Sequence, residues 1–126
     1  SGGGASGRET ADVRGGSSGG AIVFIIAKTI TNSSTISVNG GAADDDSTLM
    51  GAAGSGGAIL LKAQSVTFGT MTASGGVANG NLPAGGVGRI HADYSATTSG
   101  STTPTVDATQ DSIFSDRGGA GIFALL

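Results

Sequence analysis

The one histidine of the chain, His91, stands two residues before Asp93 in the run Arg89-Ile-His-Ala-Asp-Tyr94. On an extended chain that spacing puts both side chains on one face, and a His–Asp pair can act as general base and orienting carboxylate for a nucleophile. Such chemistry also needs a hydroxyl within hydrogen-bond reach and a pocket to hold a substrate. The chain has 16 serines, so one lying nearby carries no weight. Arg89, His91 and Asp93 therefore read as the polar outer row of an alternating strand. Asp44-Asp45-Asp46 is the densest charge cluster, a weak metal candidate for Ca²⁺. Adjacent carboxylates diverge instead of converging on one ion, and the Gly-Gly-x-Gly-x-Asp repeat of calcium β-rolls is missing; the triplet reads as a solvated loop tip.

Two glycine runs, Gly51-Ala-Ala-Gly-Ser-Gly-Gly57 and Gly85-Gly-Val-Gly88, have the look of phosphate-cradling loops. Neither precedes a helical pattern and no Gly-Lys-Ser/Thr follows, so the helix N-terminus that would hold a phosphate is lacking. Asn32-Ser-Ser34 fits the short glycosylation triplet. No catalytic residue and no cofactor is assigned, and the chain reads as something other than an enzyme.

The elements that would position these residues are constrained by composition. Of 126 residues, 25 are glycine, 18 alanine, 16 serine and 14 threonine, while aromatics make up 4% and charged residues 12%. A helical core packed with large side chains cannot be built from this list, and with 2 prolines and no strict Gly-X-Y period collagen is excluded. The net charge of −3 and the scattered Lys and Arg argue against a nucleic-acid surface. The absence of cysteine excludes disulfides and thiolate metal sites. The longest apolar run, Ala21–Ala27, falls far short of the ~20 residues needed to cross a bilayer as a helix, so no membrane insertion is expected. The length fits one domain. Ser1 in place of Met and the apolar stretch Gly121–Leu126 lead us to expect a piece of a longer chain.

Self-comparison supplies the organising signal. Ser18-Gly-Gly-Ala-Ile-Val23 recurs as Ser55-Gly-Gly-Ala-Ile-Leu60, 37 residues on; Ala27-Lys-Thr-Ile30 matches Ala63-Gln-Ser-Val66 at 36; Thr35-Ile-Ser-Val-Asn-Gly-Gly41 matches Thr70-Met-Thr-Ala-Ser-Gly-Gly76 at 35. A weaker copy begins at Gly86-Val-Gly-Arg-Ile-His-Ala-Asp-Tyr94, and a fourth start falls at Gly118-Gly-Ala-Gly-Ile122. Each unit reads as a glycine-rich loop, a strand, a turn, a second short strand and another loop. Units fall at approximately 18–54, 55–85 and 86–117, with a partial unit at 118–126. The runs are short, β-branched and bounded by Gly, Ser, Asn and Asp. Ile59, Leu61 and Ala63 alternate with Leu60, Lys62 and Gln64, and Ile90, Ala92 and Tyr94 alternate with Arg89, His91 and Asp93. Parity shifts between Ala63 and Val66, and equally between Ala27 and Ile30, which predicts a corner. Ile36 and Val38 continue inward beyond it. The glycines are expected to serve tight turns at φ > 0 and close backbone approach. Thr97–Thr105, with Pro104, reads as a polar linker.

A unit of this kind cannot bury its own apolar side and must stack on its copies, bringing Ile22, Ile59, Ile90 and Ile122, or the residues beside them, into one interior column. If Val23, Ile25 and Ala27 point inward, then Ile22, Phe24 and Ile26 point out as an apolar row that marks a contact. Together with Phe123, Leu125 and Leu126 in the apolar end, these residues form the expected assembly interface. The expected fold is all-β: a right-handed parallel β-helix or related glycine-rich β-solenoid of three to four repeat units, a single domain over 1–126.

The motifs at Ser18–Ala27, Ser55–Ala63 and Gly86–Tyr94, with the Thr97–Gln110 stretch, resemble glycine-rich β-solenoid repeat segments of bacterial surface adhesins and of phage tail-fibre or other virion surface proteins. The resemblance covers some two thirds of the chain and implies a structural role outside the cell or on the virion surface, with no family catalytic residues to carry over. The expected function is a structural part of a surface fibre or appendage, a homo-oligomer or filament partnered by copies of itself or by other appendage or virion proteins. The rival is an adhesin module that binds a surface glycan or receptor through its glycine- and hydroxyl-rich loops (Asp44–Thr48, Thr97–Thr105). A polysaccharide-active β-helix would need paired carboxylates in a groove, and Asp93 has no such partner in the sequence pattern.

Overall fold

The computed structural model describes residues 16–45, 50–79 and 82–110, and within them every regular element is a strand. Four strands form one parallel sheet: β1 (Ile22–Ser37), β4 (Ala58–Thr72), β5 (Arg89–Thr103) and β6 (Asp107–Gln110), in the order β1-β4-β5-β6. A small antiparallel pair, β2 (Asp44–Asp45) with β3 (Met50–Gly51), lies on the excursion between β1 and β4.

Inward parity sets the register. Val23 pairs with Ile59 and Ile59 with Ile90; Ile25, Leu61 and Ala92 form the next column, then Ala27, Ala63 and Tyr94, then Ile30, Val66 and Thr98. The glycine motif repeats at 37 residues, but β1 and β4 pair at 36 over this stretch, so Ile22 stands opposite Ala58 and Val23 takes the place expected for Ile22 in the column. A slip of one residue would exchange the inward row Val23, Ile25 and Ala27 for the outward row Ile22, Phe24 and Ile26. The middle strand is sealed most completely: Ile59, Ala63, Val66 and Met71 are 0% exposed and Leu61 1%. Each fully buried side chain of the Ile, Leu, Val or Met type contributes about 1.5–3 kcal/mol. Small residues stand in the same rows, Ala27 and Ala63 in one and Ala92 in another.

Each repeat contains one long strand, not two short ones. The strands run 15 or 16 residues, with register shifts between Asn32 and Thr35, between Ala63 and Ser65, and between Thr67 and Thr70. Burial in β4 changes parity at the same places: Ile59, Leu61 and Ala63, then Val66 and Phe68, then Met71 and, just past the strand, Ala73. These shifts bend the chain. A straight strand of 16 residues would span roughly 50 Å, yet the two ends of β1 meet. Gly57 donates its N–H to the carbonyl of Val38 just after β1 at 2.8 Å, while its neighbour Ala58 donates to Ala21 just before β1 at 3.0 Å. The ends of β4 meet in the same way, through Gly88 to Ala73 at 2.7 Å and Arg89 to Gly57 at 3.0 Å.

The glycine-rich connections form a second packed body. Their backbone hydrogen bonds recur every third residue: Ser17 to Ala52 and Gly20 to Ser55, Gly54 to Gly41 and Gly57 to Val38, Gly85 to Gly76 and Gly88 to Ala73. That period is the one of an extended three-residue helix, not the period of two that defines a strand. Among the described glycines only Gly100 has φ in the left-handed range, at 144°, so tight turning is not what the others supply. They supply room. A methyl group on Gly76 would overlap the carbonyl oxygen of Gly41, and one on Gly85 that of Gly54. As at the axis of collagen, only glycine fits where backbones cross so closely.

Two further expectations change. Residues 97–103 of the expected polar linker belong to β5, where Ser99, Ser101, Thr102 and Thr103 pair with Thr67, Thr70, Met71 and Thr72. The sheet's fourth strand is β6, which pairs His91–Tyr94 with Asp107–Gln110 at an interval of 16 residues. The fourth start inferred at Gly118–Ile122, like the rest of 111–126, lies outside the described residues.

Candidate functional site

Inward parity fixes what the sheet shows to the outside, and three patches result. The first is apolar. Ile22 is 75% exposed and Phe24 61%, and Leu60 beside Phe24 on β4 is 36% exposed. Ile26, expected to be exposed with them, is half-buried next to Lys62. The other members of the expected interface, Phe123, Leu125 and Leu126, lie outside the described residues.

The second patch continues the same outward rows along the sheet and is charged. His91 stands opposite Leu60, and Asp93 opposite Lys62. The ring of His91 lies between two carboxylates: Nε2 is 2.9 Å from Asp93 Oδ1, and Nδ1 is 3.3 Å from Asp107 Oδ2 on β6. Lys62 Nζ sits 3.9 Å from the other oxygen of Asp93. Both ring nitrogens thus face acids, and neither is directed at a hydroxyl that it could activate. The His–Asp spacing was legible in the sequence; Asp107, joined to it by the pairing of β6, was not.

The third patch was missed as a unit. Thr29, Thr31, Thr35 and Ser37 on β1 pair with Ser65, Thr67, Thr70 and Thr72 on β4, and Thr67, Thr70 and Thr72 pair in turn with Ser99, Ser101 and Thr103 on β5. The β1 and β5 members and Thr67 are exposed, and the other β4 members are half-buried. No charged residue occurs in 29–37, 65–72 or 97–103. The result is a neutral hydroxyl surface on either side of a bend, with rows about 4.8 Å apart from strand to strand. Its signal was present as Ser/Thr at every second position of 29–37 and 97–103, and of 65–72 with one extra residue between Thr67 and Thr70.

Asp44 and Asp45 pair with Gly51 and Met50 as β2, in place of a free loop tip, and Asp46 lies outside the described residues. Asn32 closes a local turn, its Oδ1 accepting from the Ser34 N–H at 3.0 Å and its Nδ2 donating to the Ser34 carbonyl at 3.2 Å. Among the described residues no group of three His, Cys, Asp or Glu side chains is placed to hold a metal ion. No described helix is long and apolar enough to cross a membrane. Neither a family model, nor a curated protein, nor a solved structure matches the chain.

Proposed function

We propose that the chain is a segment of a right-handed glycine-rich β-solenoid and serves as a structural part of an extracellular or virion surface fibre, associating with copies of itself or with other appendage proteins. The observation that carries this reading is the return of β1 and of β4 to their own starting points, with the next repeat laid parallel on each and apolar columns running across the strands. Repetition of that kind makes a stiff body whose size follows the number of repeats. The apolar outward row at Ile22 and Phe24 gives it a surface for lateral contact, and the likeness of its repeat motifs to adhesin and tail-fibre segments points the same way. Light scattering with negative-stain imaging tests the proposal. Rods or larger assemblies are expected; a compact monomer of 11.9 kDa at every concentration would overturn it.

The neutral hydroxyl face favours a second reading, an adhesin module that holds a surface glycan. Hydroxyl rows without charge suit an uncharged ligand with many hydroxyls of its own. Binding to immobilised glycans that survives Phe24→Asp but is lost on Thr67→Asp would place function in this face and not in assembly.

A further inference from the structure

We propose that Asn39 is a deamidation site that the stack of repeats keeps closed. Asn39 is the second residue after β1 and is followed by Gly40. The amide nitrogen that follows an asparagine can attack the side-chain carboxamide, and a glycine there leaves the approach free of any side chain. Asn79 is also followed by glycine, but Gly80 lies outside the described residues.

Both reacting groups are held by one residue of the next repeat. Gly40 donates its N–H to the Ser74 carbonyl at 2.9 Å, and the Ser74 N–H donates to Asn39 Oδ1 at 2.8 Å. The ladder explains why a side chain takes part. Val38 donates to the Thr72 carbonyl at 2.8 Å as Gly40 does to Ser74, which carries the parallel pattern past the ends of β1 and β4. That pattern would give the Ser74 N–H to the Val38 carbonyl, but this carbonyl accepts from Gly57. Asn39 Oδ1 stands in for it, so the Ser74 amide keeps an acceptor.

Reaction requires this clasp to open. Gly40 must give its amide proton to solvent base while the closed clasp commits that proton to Ser74, and the carboxamide must leave the Ser74 N–H to reach the nitrogen. The Gly40 nitrogen then bonds to Asn39 Cγ, the Cγ–Nδ2 bond breaks and ammonia leaves. Water opens the resulting cyclic imide at either carbonyl, giving aspartate or isoaspartate with one more negative charge. Isoaspartate also lengthens the main chain by a methylene next to Gly40, where even a methyl group would overlap the Gly54 carbonyl oxygen. That product does not fit the closed rung.

The test follows the full chain, native and urea-unfolded, by peptide mapping and mass spectrometry in mildly alkaline buffer. Conversion of Asn39 should be roughly tenfold or more slower in the native chain, because only the opened rung reacts. Amide hydrogen exchange at Gly40 and Ser74 under the same native conditions should show protection of the same order, since one opening frees all three groups. Equal conversion rates in the native and unfolded chain would overturn the proposal. So would slow native conversion with the Gly40 and Ser74 amides unprotected, which would place the restraint outside the clasp.

Discussion

Gly85 donates its backbone N–H to the carbonyl of Gly76 at 2.9 Å, which clamps the chain leaving β4 against the chain entering β5. On its other side Gly85 faces the Gly54 carbonyl so closely that a methyl group would overlap it, whereas a methyl on Gly86 meets nothing within 4 Å.

Neighbouring glycines should therefore answer oppositely to the same substitution. Gly85→Ala is expected to cost about 2–3 kcal/mol or more, because backbone and not a flexible side chain must give way. Gly86→Ala should stay within about 0.5 kcal/mol. Denaturant unfolding of the two variants decides it; equal losses would mean that close backbone approach is not what these segments select.

The centre of the stack should be far more sensitive than its outside. Leu61→Ala removes a side chain that is 1% exposed and is expected to lose about 2–5 kcal/mol. Val87→Ala, at a position 73% exposed, should change stability by no more than about 0.5 kcal/mol. Comparable losses measured by chemical denaturation would place the core elsewhere.

Gly100 is the one described glycine with a left-handed backbone, and an added methyl there would also run into the ring of Phe68. Gly100→Ala is expected to cost about 1–3 kcal/mol. Double substitution with Phe68→Ala isolates the ring: the part due to the ring should vanish in the double variant, while the left-handed conformation and the overlap with the Phe68 carbonyl oxygen remain. Additive losses would assign the whole effect to the backbone.

Phe24→Asp places a charge in the exposed apolar row without entering the core. Stability should change by about 0.5 kcal/mol or less, while self-association measured by sedimentation should drop sharply. Unaltered assembly would remove this row from the interface.

The sequence made the stacking legible because two kinds of evidence agreed. The motif at Ser18–Val23 repeats at Ser55–Leu60, and Ile59 and Ile90, 31 residues apart by sequence, pair directly across the sheet. The exposure of Ile22 and Phe24 followed from parity alone. The second half of β5 was hidden because its inward positions are Thr98 and Thr102, so no apolar alternation marks it; backbone pairing to β4 keeps it in the sheet. The glycine segments were hidden for another reason. Gly51, Gly54 and Gly57 fall at every third position, but a period of three is easily overlooked where strands and turns are sought. The contact of His91 with Asp107 depends on the short 16-residue interval from β5 to β6, which none of the longer repeats foretells.

A chain that comes home after β1 and again after β4 has an evolutionary consequence. Because Val38 ends beside the point where Ala21 began, duplicating or deleting one circuit in the gene would add or remove a storey without disturbing the floors on either side.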